Sequence, residues 1–395
     1  MQNLLSDVRS DVRTFGDVTD AFDPLATQDL LVTMLHQLPE TLDKPLPALR
    51  DIKLSKENAK WRAISSLQKA VRRGHTTNAL MMASALINSD QEDHLLKRLC
   101  TIALEDVAFG APVLCAQVFA FAASAKIRSQ VGGWPMLLAL IEQLCEATKD
   151  RIPCEIAVSA GYSPEDDEYK LEMYARDTDD LIGIASDVTN HWQDVQTATR
   201  MLSGHLKLNG DYANKHRDMT SFRAVFADCP PLIRYIAHRS AAGGGESAAL
   251  VSGMRLGWHL LFNHKDAEPM GVEGGLIEEP QVVRGVLLEA LDMHTTEGKT
   301  AFKRLLAAEG QALADWVDDL GGNPAEALGN GVFMAEGKVC NLRLQSPDTD
   351  KITHLSHEAQ MGRAGLPKDQ LGKLLAQVST LLPALNEHRR KVLLG

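Results

Sequence analysis

Aromatic residues make up only 5% of this 395-residue chain. A sheet-rich core leans on aromatic and β-branched side chains, so their scarcity beside abundant Ala and Leu favours helices. Basic charge is also in deficit, with 41 Lys and Arg against 52 Asp and Glu, a formal net charge of −11. That balance excludes a global field attracting nucleic acid, and any phosphate contact must be local. No apolar run is long enough to span a bilayer. The opening MQNLLSDVRSDVR mixes acids with bases and has no apolar signal core, so the expected location is cytoplasmic, without a membrane partner. The six cysteines, Cys100, Cys115, Cys145, Cys154, Cys229 and Cys340, form no CxxC pair. They read as buried free thiols in a reducing compartment, better than as disulfides or metal ligands.

Nucleotide and metal motifs fail on spacing. Glu297-Gly298-Lys299-Thr300 matches the end of a phosphate loop, but Met293 stands where its first glycine belongs and a helix precedes it. His354-Leu-Ser-His357-Glu358 fits neither zincin pattern, and His259 and His264 fall on different faces of a continuing helix. No cofactor, no metal and no ATPase machinery are therefore expected.

The rest is ordinary globular material, 45% apolar and 24% charged, and long enough for two or three domains. Its most legible stretch is Glu57 to Pro112. Trp61, Ile64, Leu67 and Val71 share one helical face, while Lys60, Lys69, Arg72 and Arg73 take others. Gly74 suits a left-handed stop. A second helix starts at Thr76 or Thr77, and Ser89 with Glu92 has capping-box spacing for a third. Glu105 and Asp106 lie near that helix's C-terminus, where the macrodipole disfavours negative charge by up to about 1 kcal/mol. They need compensation. Either Arg72, Arg73 or Arg98 supplies it internally, or the pair is a docking point for a partner.

The residues Arg73, Gly74, Ala79, Leu80, Lys97, Arg98, Leu99, Ala103, Glu105, Asp106 and Val107 resemble the helical, clamp-loader-collar-like region that follows the ATPase core in RarA/MgsA-type AAA proteins. The resemblance covers about residues 57–112 and carries no ATPase domain. It implies a DNA replication or repair setting, a replication or repair protein as partner, and a homo-oligomer.

Further along, a helix from about Thr27 precedes a connector containing Pro39, Pro45 and Pro47. The run VLCAQVFAFAASA must be central to a bundle. One long helix is expected from Leu181 to Leu206, a hinge at Gly243-Gly244-Gly245, a β-hairpin within 331–345 or else a helix corner at MAEGKV, and a terminal helix that Pro383 kinks or ends. The expected fold is an all-α multi-helix bundle in two lobes, with at most one short hairpin near the C-terminus. Its divisions are an N-terminal arm, short helix and connector over 1–50, a collar-like lobe over 51–160 and a second lobe over 161–395.

Three readings of function follow. The first is a non-catalytic interaction or oligomerisation protein of DNA replication or repair, touching single-stranded DNA through Lys60, Lys69, Arg72 and Arg73 near Trp61, and through Lys215 and Arg217 with Tyr212 stacking on a base. Solvated helix faces explain the same residues without DNA. The second is an enzyme in which Asp292 orients His294 as a base and Lys299 anchors an anion, against a plain helix corner capped by Thr295 or Thr296. The third is a structural or viral accessory protein.

Overall fold

The computed structural model describes residues 22–38, 59–160, 165–208, 211–212, 214–243, 246–262 and 270–395. The N-terminal arm, the proline connector and the glycine pair 244–245 lie outside the described residues. The chain is all-α: nineteen α-helices carry the described residues, with three two-stranded antiparallel pairs beside them. No helix among the described residues is long and apolar enough to cross a membrane.

The first eight helices run α1 Pro24–Leu35, α2 Ala59–Arg73, α3 Thr76–Ile87, α4 Glu92–Ile102, α5 Pro112–Ala122, α6 Ala125–Gln130, α7 Trp134–Glu146 and α8 Ile152–Ser159. Gly74 ends α2 at φ +74°, as its sequence position requires. The expected caps of α3 and α4 are not used: His75 and Gln91 occupy the N-cap positions without a side-chain bond. Between α4 and α5 the chain winds one π turn over Ala103–Val107, and Ala108 follows at φ +36°, rare for a residue with a Cβ.

Next come α9 Glu165–Ala175, α10 Thr178–Ser186, α11 Trp192–Ser203, β1 Lys207–Leu208, β2 Asp211–Tyr212, α12 Met219–Ala224, α13 Pro231–Gly243 and α14 Glu246–Gly257. The long helix expected over 181–206 is thus two. Asp187 breaks it by accepting hydrogen bonds from the Thr189 backbone N–H at 2.9 Å and hydroxyl at 2.7 Å, a local turn that competes with the helix. A second π turn, Trp258–Phe262, continues α14.

The remainder is β3 Gly271–Gly274, β4 Val282–Val283, β5 Val286–Leu287, α15 Thr296–Ala308, α16 Gln311–Asp319, α17 Pro324–Val332, a third π turn Phe333–Gly337, β6 Leu342–Gln345, α18 Pro347–Arg363 and α19 Leu371–Leu394. The hairpin expected within 331–345 does not form. Its first half is the helix corner, and β6 pairs instead with β3, Val272 opposite Leu344, because that register buries Leu344 in the core. Pro383 sits inside α19 without ending it. Burial of Val378 and Leu385 on either side outweighs the lost backbone bond.

The buried apolar residues form two large cores and one small cluster of Leu288, Leu291 and Leu393, and no boundary between them falls at 160. One core runs from Leu31 to Ala290 and also takes in Leu344; the second joins Ala301 to Leu385. Helices α8 and α14, from either side of the expected division, touch so closely that a Cβ on Gly253 would lie 2.3 Å from the Pro153 carbonyl oxygen. A domain cut there would split one core.

Gly298, the glycine of the phosphate-loop look-alike, has a packing role. A Cβ there would sit 1.9 Å from the Asp292 carbonyl oxygen, whereas one on Gly183 in α10 would meet nothing within 4 Å. Gly298→Ala should therefore lower stability by about 2 kcal/mol or more, and Gly183→Ala should leave it unchanged or raise it by up to about 1 kcal/mol. Denaturant midpoints of the two variants test the contrast.

Candidate functional site

Helix α2 organises the polar interior. Its apolar stripe, Ala63, Ile64, Leu67, Ala70 and Val71, is buried. Two polar stripes are also enclosed. The first, at 62, 65, 69 and 73, follows helical spacing and meets the segment 287–297. Arg62 pairs with Glu297 at 3.5 Å, the Ser65 hydroxyl donates to the Ala290 carbonyl at 2.8 Å, Lys69 pairs with Asp292, and Arg73 pairs with Glu289. The second stripe, Gln68 and Arg72, meets the π turn between α4 and α5.

There the sequence's acidic question has its answer. Asp106 is fully buried and accepts from Arg72 Nε at 2.6 Å, from Arg151 Nη1, and from Gln68 Nε2 at 3.1 Å. Glu105 takes Arg72 Nη2 at 3.1 Å and Arg151 Nη1 at 3.4 Å. Glu105 and Asp106 are thus an internal clasp, and their expected role as a docking point does not hold, because burial closes Asp106 to any partner. The π turn adds one residue to the helical repeat and so rotates both carboxylates toward the two guanidiniums.

The clasp extends through Arg151. Its Nε lies 3.6 Å from Glu155, whose other oxygen accepts from Lys338 Nζ at 2.7 Å; Lys338 also donates to the Ser356 hydroxyl at 3.2 Å. Arg151 and Lys338 both lie over the Phe333 ring, at 5.6 and 5.5 Å from its centroid, a favourable cation–π geometry. Three cations, Arg72, Arg151 and Lys338, thereby balance three carboxylates, Glu105, Asp106 and Glu155. Burial opposes ionisation of Asp106, but Arg72 and Arg151 overcome it and hold its carboxyl below the usual range. Burial likewise opposes ionisation of Glu155, and Lys338 with Arg151 brings it down to about 2.

Asp150 behaves in the opposite way. It is buried, and burial pushes its carboxyl up to about 6 although it accepts the backbone N–H groups of Ile152 and Phe109 at 2.9 and 3.1 Å. Lys149, Asp150 and Arg151 are three consecutive charged residues, all essentially without solvent exposure. Sequence reasoning passed over them and over Glu155 and Lys338. The available signal was a charged triplet between two apolar helices.

Of the residues expected to meet nucleic acid, Lys69 and Arg72 are consumed in buried ion pairs and cannot. Arg73 is mostly enclosed, bonded to Glu289 and to the Glu336 carbonyl at 2.8 Å. Lys60 stays near the surface, 3.3 Å from His94 Nε2 and 5.3 Å from the Trp61 ring centroid, and Trp61 is 47% exposed. Lys215 and Arg217 are exposed beyond β2, which carries Tyr212; Lys215 lies 5.5 Å from the Tyr174 ring centroid. The first patch lies on α2 and the second in the turn between β2 and α12.

The expected Asp–His–Lys constellation is not assembled. Asp292 meets His294 through the backbone N–H at 2.9 Å, and its side-chain partner is Lys69. Thr295 caps α15 by accepting from Gly298 N–H at 3.0 Å, the helix-corner alternative, and Lys299 points into solvent on α15. Burial opposes ionisation of Asp292, yet Lys69 brings it down to about 2. Its carboxylate is held by Lys69 and by the His294 backbone N–H rather than by the imidazole ring.

Outside the clasp, the Arg73–Glu289 pair forms one wall of a cleft of about 770 Å³. Five carboxylates line it, Glu278, Glu279, Glu289, Glu336 and Glu387, against two guanidiniums, Arg73 and Arg390. Leu276 stands at its edge almost wholly exposed, at 98%, with Leu382 and Pro383 opposite on α19. Three of these carboxylates are already paired, Glu289 with Arg73, Glu336 with Arg389 and Glu387 with Arg390, so Glu278 and Glu279 give the cleft its negative excess.

Two substitutions test the clasp. Asp106→Asn leaves two buried guanidiniums facing a neutral amide and should cost about 3 to 5 kcal/mol in denaturant unfolding. A loss below about 1 kcal/mol would show that the charges are not enclosed. Asp150 carries a pH signature: its folded-state value is raised, so its contribution is present below the ordinary 3.8 and is lost as pH rises through about 6. Asp150→Asn abolishes that loss, so the stability of the variant relative to the parent should rise by on the order of 2 kcal/mol from pH 4 to pH 7. A difference independent of pH refutes the assignment. Comparison with protein-family models, characterised proteins and solved structures finds no match for this chain.

Proposed function

We propose that the chain is a non-catalytic helical interaction protein, and that its docking site is the acidic cleft beside α19. The carrying observation is the composition of that cleft: beside three arginine-paired carboxylates it presents Glu278 and Glu279, with an exposed leucine at the rim. Such a lining selects a basic segment bearing an apolar anchor. The titratable groups nominated for catalysis support the same reading, since Asp292 is spent on Lys69. A DNA replication or repair setting, with a homo-oligomer or a replication protein as partner, rests on the RarA-type resemblance of residues 57–112. Single-stranded DNA then has the Lys60–Trp61–His94 patch, where an exposed indole offers a stacking face beside a cation.

Solution mass, peptide binding and oligonucleotide binding test this together. A lysine-rich peptide containing one leucine should bind the full chain and an acidic peptide of equal length should not. Glu278→Gln with Glu279→Gln should weaken the basic peptide about tenfold, and rising salt should weaken it further. Any single-strand affinity should fall in Trp61→Ala and be unaffected by the glutamine pair. A monomer that binds neither ligand overturns the proposal.

A further inference from the structure

We propose that Asp228, Cys229 and His259 form a binding site for a divalent transition-metal ion of the zinc class. One ligand atom from each lies within 4.8 Å of the other two, and among the described residues this is the one His, Cys and acid grouping of such compactness. His259 Nε2 is 3.0 Å from Asp228 Oδ2, and Cys229 Sγ is 3.6 Å from Asp228 Oδ1. Zinc bonds of about 2.0 to 2.3 Å in a tetrahedron place ligand atoms roughly 3.3 to 3.8 Å apart, so the trio closes on an ion with small side-chain movements. One oxygen, one nitrogen and one sulfur donor suit zinc or cobalt and not magnesium or calcium, which take oxygen ligands. Three protein ligands leave a fourth position for water or an exogenous group.

The surroundings resemble a built site. Asp228 and Cys229 end the turn after α12, and Pro230 and Pro231 fix the backbone immediately beyond them. His259 comes from the π turn that continues α14, a helical irregularity that re-aims side chains. Its Nε2 is buried and makes no well-formed hydrogen bond despite the nearby carboxylate. Arg255, itself buried, grips Asp228 with Nε to Oδ1 at 3.0 Å and Nη2 to Oδ2 at 2.7 Å, and also bonds the Ala185 and Ser186 carbonyls at the end of α10. Outer contacts of this kind orient a ligating carboxylate. About a third of the Asp228 side chain is exposed, which gives an ion a way in. Binding replaces the Cys229 S–H bond with a sulfur–metal bond and passes the proton to solvent. The ion would join α12, α14 and α10 at one point, a clamp on the first core that leaves the acidic cleft untouched.

The test uses the full chain, stripped with a chelator and loaded with zinc or cobalt. One equivalent should bind, cobalt should show a thiolate-to-metal charge-transfer band and the visible transitions of a four-coordinate ion, and zinc should raise the melting temperature. Cys229→Ser should abolish the charge-transfer band and weaken zinc at least about tenfold; Cys100→Ser should change neither. Should Cys229→Ser lose its helical circular dichroism, His259→Gln decides: the thiolate band is then kept with altered visible transitions and zinc affinity again falls at least about tenfold. No charge-transfer band in the parent chain, or affinity indifferent to both variants, overturns the proposal.

Discussion

The structure depends on neutralising Asp106. A carboxylate with no exposed atom is tolerable only when its charge and its hydrogen bonds are all met, and here Arg72, Arg151 and Gln68 meet them. Those partners come from α2, from the loop before α8 and, through Gly337 and Lys338, from the segment after α17. Satisfying one side chain thus fixes three parts of the chain relative to one another. Hydrophobic burial supplies most of the driving force, but it is indifferent to orientation; the ionic contacts, with their fixed lengths and directions, select this arrangement of helices.

Three π turns accompany the polar clusters. Ala103–Val107 carries Glu105 and Asp106, Trp258–Phe262 carries His259, and Phe333–Gly337 carries Glu336 and the ring under Arg151 and Lys338. A regular helix repeats every 3.6 residues and cannot direct neighbouring side chains to chosen points. An extra residue per turn can. The helical irregularities and the buried charge belong to one design problem, that of aiming polar groups inside a helical core.

Much of the architecture was legible. The all-α class, the helices of the stretch 57–112, the glycine stop at Gly74 and the Thr295 cap follow from local chemistry, which sequence displays directly. The failures share a cause. Lys69 and Arg72 sit on helix faces that periodicity marks as polar, and polar faces are ordinarily wet; nothing within α2 reveals that Asp292 and Asp106 await them. The triplet Lys149-Asp150-Arg151 was passed over for the same reason. The boundary at 160 failed because helices α8 and α14 meet through Pro153 and Gly253, and a contact between residues so far apart leaves no trace in composition. Strand β6 found β3, not its sequence neighbour, by the same long-range logic.

The partners of α2 have a bearing on synthesis. Lys69, Arg73 and Ser65 reach residues more than two hundred positions later, and Arg72 reaches Gly337. Chains fold from the N-terminus as they emerge, yet this early helix cannot be desolvated on every side until its distant acids and carbonyls have left the ribosome. Before then its cations hold water, and the helix stays at the periphery of whatever has collapsed. A helix buried along most of its length in the finished protein is therefore among the last to be sealed in.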